Sequence, residues 1–513
     1  MLKLLLLLSL AATSFANAAP KATAKPATLG GSASEDKAVV FRARLTEDLG
    51  TLDWNYGEVN PEIVYQLMEG LFRADKDGKP ELAAARTTKW NADHTELTVM
   101  LKADRRWSDG SPLCAQQFVD SWARLQSKAF GSPYKHFANI LKSFEAKSCR
   151  ELRIKFERPS PEAPALLSHY VFFPIRMDQL KKIPKIFNIG GDLLVNGPFR
   201  LAEWKANQSL SLVRNPHFGG KKPAIDRVEY FFVPDENSAQ VMFEQKKLDW
   251  VKDVPPLMRS KKLESSAEFR IFPNLTTFYF GLNDGKSALV KDPAVRVALR
   301  ESLDRSELPK VLGREHKGTL TWLSSSIFPE VKAPKQEKKW AEAKAKLAEA
   351  VKNGTMDIVL RVYSKSSHKT LAEWAQGQWE KRLGVRIPVE VMEGKVYWRE
   401  IYTNPSPIFL SGVTAPYGHP RAFLQEFLSS SSANWTGWSS AEYDKAVDEE
   451  RFQDAEDILQ ESGMFIPLYT RDTVAVVARK WKGFHVNPLG QVFLEDVSLG
   501  SPQKSSESKS NGQ

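Results

Sequence analysis

Residues 97–125 read LTVMLKADRRWSDGSPLCAQQFVDSWARL, and the reading of this stretch decides the fold class. Leu97, Val99 and Leu101 alternate with Thr98, Met100 and Lys102, the period of a strand with one buried face. Asp109-Gly110 marks a tight turn, because glycine enters backbone conformations that a Cβ resists. Ser111-Pro112 then predicts the start of a helix. A hydroxyl can accept from the free N–H groups of a first turn, and proline fits there without losing a hydrogen bond. Phe118, Trp122 and Leu125 follow at helical spacing and share one face. A strand, a turn and a packed helix place the chain among α/β proteins.

The wording of the stretch is more specific than its periodicity. RWSDGSPLCAQQFVDSWARL, residues 106–125, resembles the segment "kFSDGtPvTAeDVvfSweRl" of the family-five solute-binding proteins, the oligopeptide, dipeptide and nickel receptors of ABC importers. A second block from Asn196 to Asp249 begins NGPFRLAEWKANQSLSLVRNPHFGG and is similar to the family's "GPYkl.eW" and "LeRNpnYwg". Glu69-Gly70-Leu71-Phe72, Pro80-Glu81-Leu82-Ala83, Pro293–Leu299 with Asp304-Arg305, and Ile466-Pro467-Leu468-Tyr469 match further phrases in the family's order. The resemblance extends from about Phe41 to Leu499. It implies an α/β fold: a two-lobed periplasmic binding protein of class II type, cluster C, with an extra third subdomain in the first lobe. The expected domains are a lobe-one core of 38–60, 168–274 and 475–500, an extra subdomain of 61–167, and lobe two of 275–474. The alternation of helix and strand after Lys335 (a helix to Ala350, a strand to Tyr363, a helix Leu371–Leu383, a strand Val385–Val391) predicts a mostly parallel sheet in lobe two.

The 513 residues are 42% hydrophobic and 26% charged, a globular balance with room for two or three domains. The net charge of +10 is spread over short runs such as Lys181-Lys182 and Lys221-Lys222. Nucleic-acid binding wants a clustered stripe, so no nucleic acid is expected as a partner. Lys3 followed by the short apolar run Leu4–Ala12 and by Ala16-Asn17-Ala18 predicts a signal peptide, 1–18, cleaved after Ala18. No cysteine lies there, so the chain is not expected to be a lipoprotein, and its expected place is the periplasm. Residues 19–37 read as a flexible leader and 501–513 as a disordered tail. The chain has two cysteines, Cys114 and Cys149. In an exported protein an even pair suggests a disulfide, two separate buried thiols being the alternative. The eight histidines show no ligand spacing for zinc, and neither metal nor cofactor is expected.

No G-x-S-x-G, H-E-x-x-H or G-x-x-x-x-G-K-[ST] occurs, which points away from an enzyme, although triads assemble from distant positions. The resemblance implies binding instead. Two lobes close over a solute about a pair of crossing segments, here near Asn274–Phe278 and Tyr469–Val474. Main-chain groups and wet pockets then hold a peptide of varied side chains. Carried over by position, the ligand-binding residues are Glu58, Val59, Tyr134, Phe280, Val413, Thr414, Ala415 and Tyr417. The pattern departs from the family at its anchor. Oligopeptide receptors pair the ligand's amino terminus with the aspartate of "gW.aDY"; Gly412-Val413-Thr414-Ala415-Pro416-Tyr417 puts Pro416 in that place and Val413 in the tryptophan's. Gly394 stands where a pocket tryptophan is expected, and Gly281 where relatives carry an acid. A peptide α-ammonium is therefore not expected to be clamped in the usual way, unless Glu58 supplies the charge. The implied function is a monomeric receptor that delivers a peptide or peptide-like solute to an inner-membrane ABC permease. The alternatives are a blocked or cell-wall peptide as solute, or a sensory or scaffold protein that kept the fold without transport.

Overall fold

The alternation at 97–101 becomes the strand Glu96–Leu101, with Leu97, Val99 and Leu101 buried. In the computed structural model, residues 38–500 are described apart from 58, 190, 255–257, 325–327, 335–339 and 432. The expected signal peptide, leader and tail, and Glu58, lie outside the described residues. The Glu96–Leu101 strand is second in a four-stranded antiparallel sheet ordered Ala85–Trp90, Glu96–Leu101, Glu151–Phe156, Leu141–Ala146. The following helix starts later than expected, at Ala115 rather than Ser111, and ends at Gln126. Asp109 is the reason: its Oδ1 accepts from the Ser111 N–H at 2.9 Å and from the Ser111 hydroxyl at 2.6 Å. Gly110, at φ +82°, closes this turn, so the hydroxyl is spent before the helix begins. Gln117 reaches back instead, its Oε1 accepting from the Cys114 N–H at 2.6 Å. Phe118, Trp122 and Leu125 are fully buried. Cys114 and Cys149 form a disulfide, reinforced where the Ala115 N–H donates to the Cys149 carbonyl at 2.8 Å.

Two larger sheets carry the rest. The seven-stranded sheet is ordered Phe269–Phe272, Thr473–Val477, Trp250–Lys252, Val40–Leu45, Arg227–Phe232, Ser209–Arg214, Phe199–Lys205. Its last three strands form the antiparallel meander of the Asn196–Asp249 block, while Val40–Leu45 runs parallel to both of its neighbours. The six-stranded sheet is ordered His316–Gly318, Phe465–Arg471, Thr276–Leu282, Ile408–Thr414, Leu360–Tyr363, Val389–Met392. It is mixed rather than mostly parallel. Leu360–Tyr363 is parallel to its two neighbours, but Thr276–Leu282 is antiparallel to both of its own, and His316–Gly318 is antiparallel to Phe465–Arg471. Helical crossovers serve only the parallel half, through Ser366–Leu383 and Gly394–Thr403. The antiparallel strands Thr276–Leu282 and Phe465–Arg471 adjoin segments that link the two sheets. The surface helix expected to 350 spans Ala341–Lys352, and the strand expected over 385–391 is Val389–Met392.

The chain passes between the two large sheets twice, at 273–275 and at Asp472. The passage at Asp472 falls within the expected crossing region Tyr469–Val474, and that at 273–275 overlaps the start of the other, Asn274–Phe278. Their residues are cross-linked: Asn274 Nδ2 donates to Thr473 Oγ1 at 3.1 Å. The Asp472 N–H donates to the Glu315 carbonyl at 2.8 Å, as does the Leu275 N–H to the Pro488 carbonyl. Among the described residues no helix is long and apolar enough to cross a membrane.

Candidate functional site

Side chains at the carboxyl ends of parallel strands have no strand neighbour beyond them and face open space, which is where α/β sheets place their ligands. Four such ends meet beside the two passages. Val40–Leu45 delivers Arg44 and Thr46, Trp250–Lys252 delivers Lys252 and Asp253, Leu360–Tyr363 delivers Lys365 and His368, and Ile408–Thr414 delivers Thr414 and Ala415. Two cavities open there with Asp253 as a common wall. One of about 320 Å³ lies on the seven-stranded side, lined by Arg44, Asn60, Glu62, Tyr65, Lys252 and Asn274 among others. The second, about 170 Å³, lies between the sheets and is bounded by Glu236, Phe278, His316, Lys365, His368, Tyr469 and Arg471.

The smaller cavity has an aromatic wall. Phe278 stacks on Tyr469 at 4.9 Å between centroids, and His368 stands 5.9 Å from Phe278 and 4.1 Å from Tyr363. Burial, with Lys365 and Arg471 adding to it, drives His368 down to about 4, so its ring is neutral at pH 7. Ion pairs tie the two sides of the cavity together. Arg259 Nη1 meets Glu315 Oε2 at 2.8 Å with both side chains nearly enclosed, and Arg471 Nη2 meets Asp253 Oδ1 at 3.0 Å. In the larger cavity, burial pushes Glu62 up to about 7 against the pull of Lys252.

The residues expected to bind ligand do not all gather here. Val413 and Ala415 are buried and Thr414 is exposed; the Ala415 N–H donates to the Leu275 carbonyl at 2.9 Å. Thr414 Oγ1 lies 2.9 Å from Thr276 Oγ1, whose hydroxyl donates to Asn274 Oδ1 at 2.7 Å. This segment is thus wired to the cavity wall through Asn274. Val59 is buried in the loop whose Gly57 carbonyl accepts from the Tyr134 hydroxyl at 3.0 Å. Tyr134 reaches the larger cavity through Tyr170, 6.4 Å away, and Tyr65, a further 6.1 Å on. Tyr417 lines a separate cavity of about 470 Å³ with Arg158, Glu162 and Arg421. Phe280 is fully enclosed in the apolar core around Leu299, Leu360 and Trp379, because its position in the strand turns it to the helix-covered face. No solute in the cleft meets its ring. Arg44, Lys252, Asp253, Lys365, His368 and Arg471 were not singled out from the sequence. The signal that could have found Arg44, Lys252, Asp253 and Lys365 is a charged residue at or just past the carboxyl end of an apolar parallel strand; Arg471 ends an antiparallel strand and His368 lies in a helix, so neither carries that signal.

A family model for bacterial extracellular solute-binding proteins, family 5 (Middle), matches residues 78–435. The periplasmic oligopeptide-binding protein OppA of Salmonella typhimurium is 27% identical over 511 residues, covering 90% of this chain and 93% of that protein. The probable deoxycholate-binding periplasmic protein YgiS of Escherichia coli is 26% identical over 505 residues, with 90% and 93% covered. The solved structure of the Escherichia coli murein tripeptide binding protein MppA superposes with a TM-score of 0.74 at 22% identity, over 90% of this chain and 99% of that one. The superposition shows a shared two-lobed fold.

Proposed function

This chain belongs to the bacterial extracellular solute-binding proteins of family 5, and from that premise we propose that it is a receptor which captures a peptide or peptide-like solute between two hinged lobes and hands it, unaltered, to an inner-membrane ABC permease. The observation that carries the reading is the pair of passages at 273–275 and Asp472: among the described residues the chain crosses between the two large sheets at these places alone, with charged and aromatic cavities beside them. In this reading lobe one comprises a core of 38–60, 168–274 and 475–500 with the subdomain 61–167, and lobe two comprises 275–474. Ligand contacts come from Val59, Tyr134, Val413, Thr414, Ala415 and Tyr417, joined by Arg44, Lys365 and Arg471; Phe280 is left out. The protein acts in the periplasm as a monomer without nucleic acid. Closure stabilises the bound form through contacts that exist only when both lobes touch the solute.

One observation favours a second reading of the solute. Pro416 cannot answer an ammonium group, and a peptide with a blocked amino terminus, from the cell wall or elsewhere, would not ask it to. Native mass spectrometry of gently purified protein tests the main reading: a bound peptide-like mass, with compaction in solution scattering on rebinding, is expected. Recovery of a chemically converted ligand, or binding without compaction, would overturn it.

A further inference from the structure

The cavity of about 320 Å³ is lined by a carboxylate, Glu62, one of whose oxygens has no hydrogen-bond partner and on which only Lys252 exerts a pull. Glu62 sits in the first turn of the helix Pro61–Leu67, where Asn60 already caps, its Oδ1 accepting from the Glu62 N–H at 3.0 Å. The helix therefore does not need the Glu62 side chain. Its Oε1 is shielded from solvent and has no hydrogen-bond partner, an arrangement proteins avoid unless something else completes it. The groups facing it are Lys252, Tyr230 and Tyr65, with Arg44 and Asp253 on the same cavity wall. Most of these are used elsewhere. Arg44 donates to the carbonyls of Val233 and Pro234 at 2.7 and 2.8 Å, and Asp253 is paired with Arg471. The Tyr230 hydroxyl is itself buried without a partner.

We propose that Glu62 is the anchor for a primary ammonium group of the solute, bound in the cavity beside Asn274. The ammonium brings three donors and would meet the carboxylate from the cavity that Glu62 lines; Tyr230, fully buried behind it, does not line that cavity. The inference rests on the receptor reading and deepens it: it names an ammonium-bearing solute and relocates the counter-charge from position 416 to the start of this helix. Because Glu62 is held near pH 7 by burial, such binding strengthens as it ionises.

The test uses the full mature chain and three equimolar tripeptide libraries: free-amino without lysine, N-acetylated with lysine, and N-acetylated without lysine. Capture is counted by native mass spectrometry at pH 7.5. The expected result is capture of one or both ammonium-bearing libraries, at least tenfold weaker for Glu62→Gln, with the third library bound equally by both proteins. The first two arms separate an α-ammonium from a lysine side chain. Undiminished capture by Glu62→Gln overturns the inference and leaves the receptor reading standing; no capture of any library by the wild-type chain overturns both. Should the variant fail to fold, the wild-type protein decides. Its capture of ammonium-bearing peptides should fall at least tenfold from pH 8 to pH 5.5, and a flat profile overturns the inference.

Discussion

Gly418→Ala should hold the lobes apart. Gly418 lies in the proposed lobe two and Gly78 in the subdomain of lobe one, and a Cβ at position 418 would fall 2.0 Å from the Gly78 carbonyl oxygen and 3.0 Å from its carbon. Neither partner can yield cheaply. Gly78 sits at φ +82° in the turn joining Phe72–Ala74 to Pro80–Leu82, fixed by Asp75 N–H to the Lys79 carbonyl at 2.7 Å and Gly78 N–H to the Asp75 carbonyl at 3.1 Å. Carbon and oxygen settle at roughly 3.3–3.6 Å, so the rim must open by more than about 1 Å. Overpacking of this kind costs about 1–3 kcal/mol. It falls on the closed state alone, so apparent solute affinity should drop about 5- to 150-fold. Titration calorimetry with the co-purified solute reads the loss, and solution scattering reads a larger radius of gyration for the bound variant. Gly377→Ala is the control: it is in lobe two, on the helix Ser366–Leu383, with nothing within 4 Å of the added atom, and should bind as wild type. Gly418→Ala binding within twofold of wild type, at an unchanged radius, would refute the assignment of this contact to closure.

Replacing Cys114 and Cys149 by serine opens a loop of 35 residues, so chain entropy predicts a loss of about 4 kcal/mol. Urea unfolding under oxidising conditions checks this, and a difference below about 1 kcal/mol would contradict it. Arg259→Met leaves Glu315 enclosed without its partner and should destabilise by about 3–5 kcal/mol, with most of it recovered on adding Glu315→Leu; no recovery would mean the pair is not the cause. Burial raises Glu456 from 4.5 to about 7, against the Trp322 and Leu323 N–H groups that donate to it. A raised folded pKa means the folded state holds the extra proton between those values. Stability from this group is therefore full below pH 4.5 and is lost as pH rises through 7, on the order of 3 kcal/mol. Glu456→Gln should flatten the wild-type decline between pH 5 and pH 8, and an unchanged slope would remove Glu456 as its source.

How much of this was legible in the sequence follows from the range of each signal. The strand at 97–101, the turn at Asp109-Gly110 and the buried face of Phe118, Trp122 and Leu125 were local patterns, and local patterns survive folding. The helix start was misplaced because Asp109 and Ser111 compete for the same hydrogen bonds, and a sequence does not say which acceptor wins. The sheet expected to be mostly parallel was read from alternation within 335–391, but its antiparallel half is built from strands at 276–282 and 465–471, far away in the chain. Phe280 was carried over by position, and position does not give depth: Phe278 and Phe280 share one face of their strand, yet Phe278 lines the cavity while Phe280, two residues on, is enclosed in the core. Arg44, Lys252 and Lys365 carry no pattern of their own. They matter because distant parallel strands end together, and that juxtaposition exists only in three dimensions.

The charges of the cleft divide by distance from the passages, and the division has a consequence for closure. Beside the links, cations and anions are already matched within the protein: Arg259 with Glu315, Arg471 with Asp253, and Lys317 with Asp472 at 2.6 Å. These pairs sit where the lobes are joined, so a swing about the links moves them least. Deeper in the larger cavity no ion pair among the described residues reaches Glu62 or Lys252, although both line the same space. In the proposed binding mode, a closed but empty cleft would leave Glu62 confined with only the pull of Lys252 on it, which disfavours closure when no solute is present. A solute that supplies the complement removes that penalty only in the closed form. The coupling of capture to closure is then an electrostatic difference between two states, as any ligand-driven shift requires, and its sign is set by the residues the protein leaves unmatched.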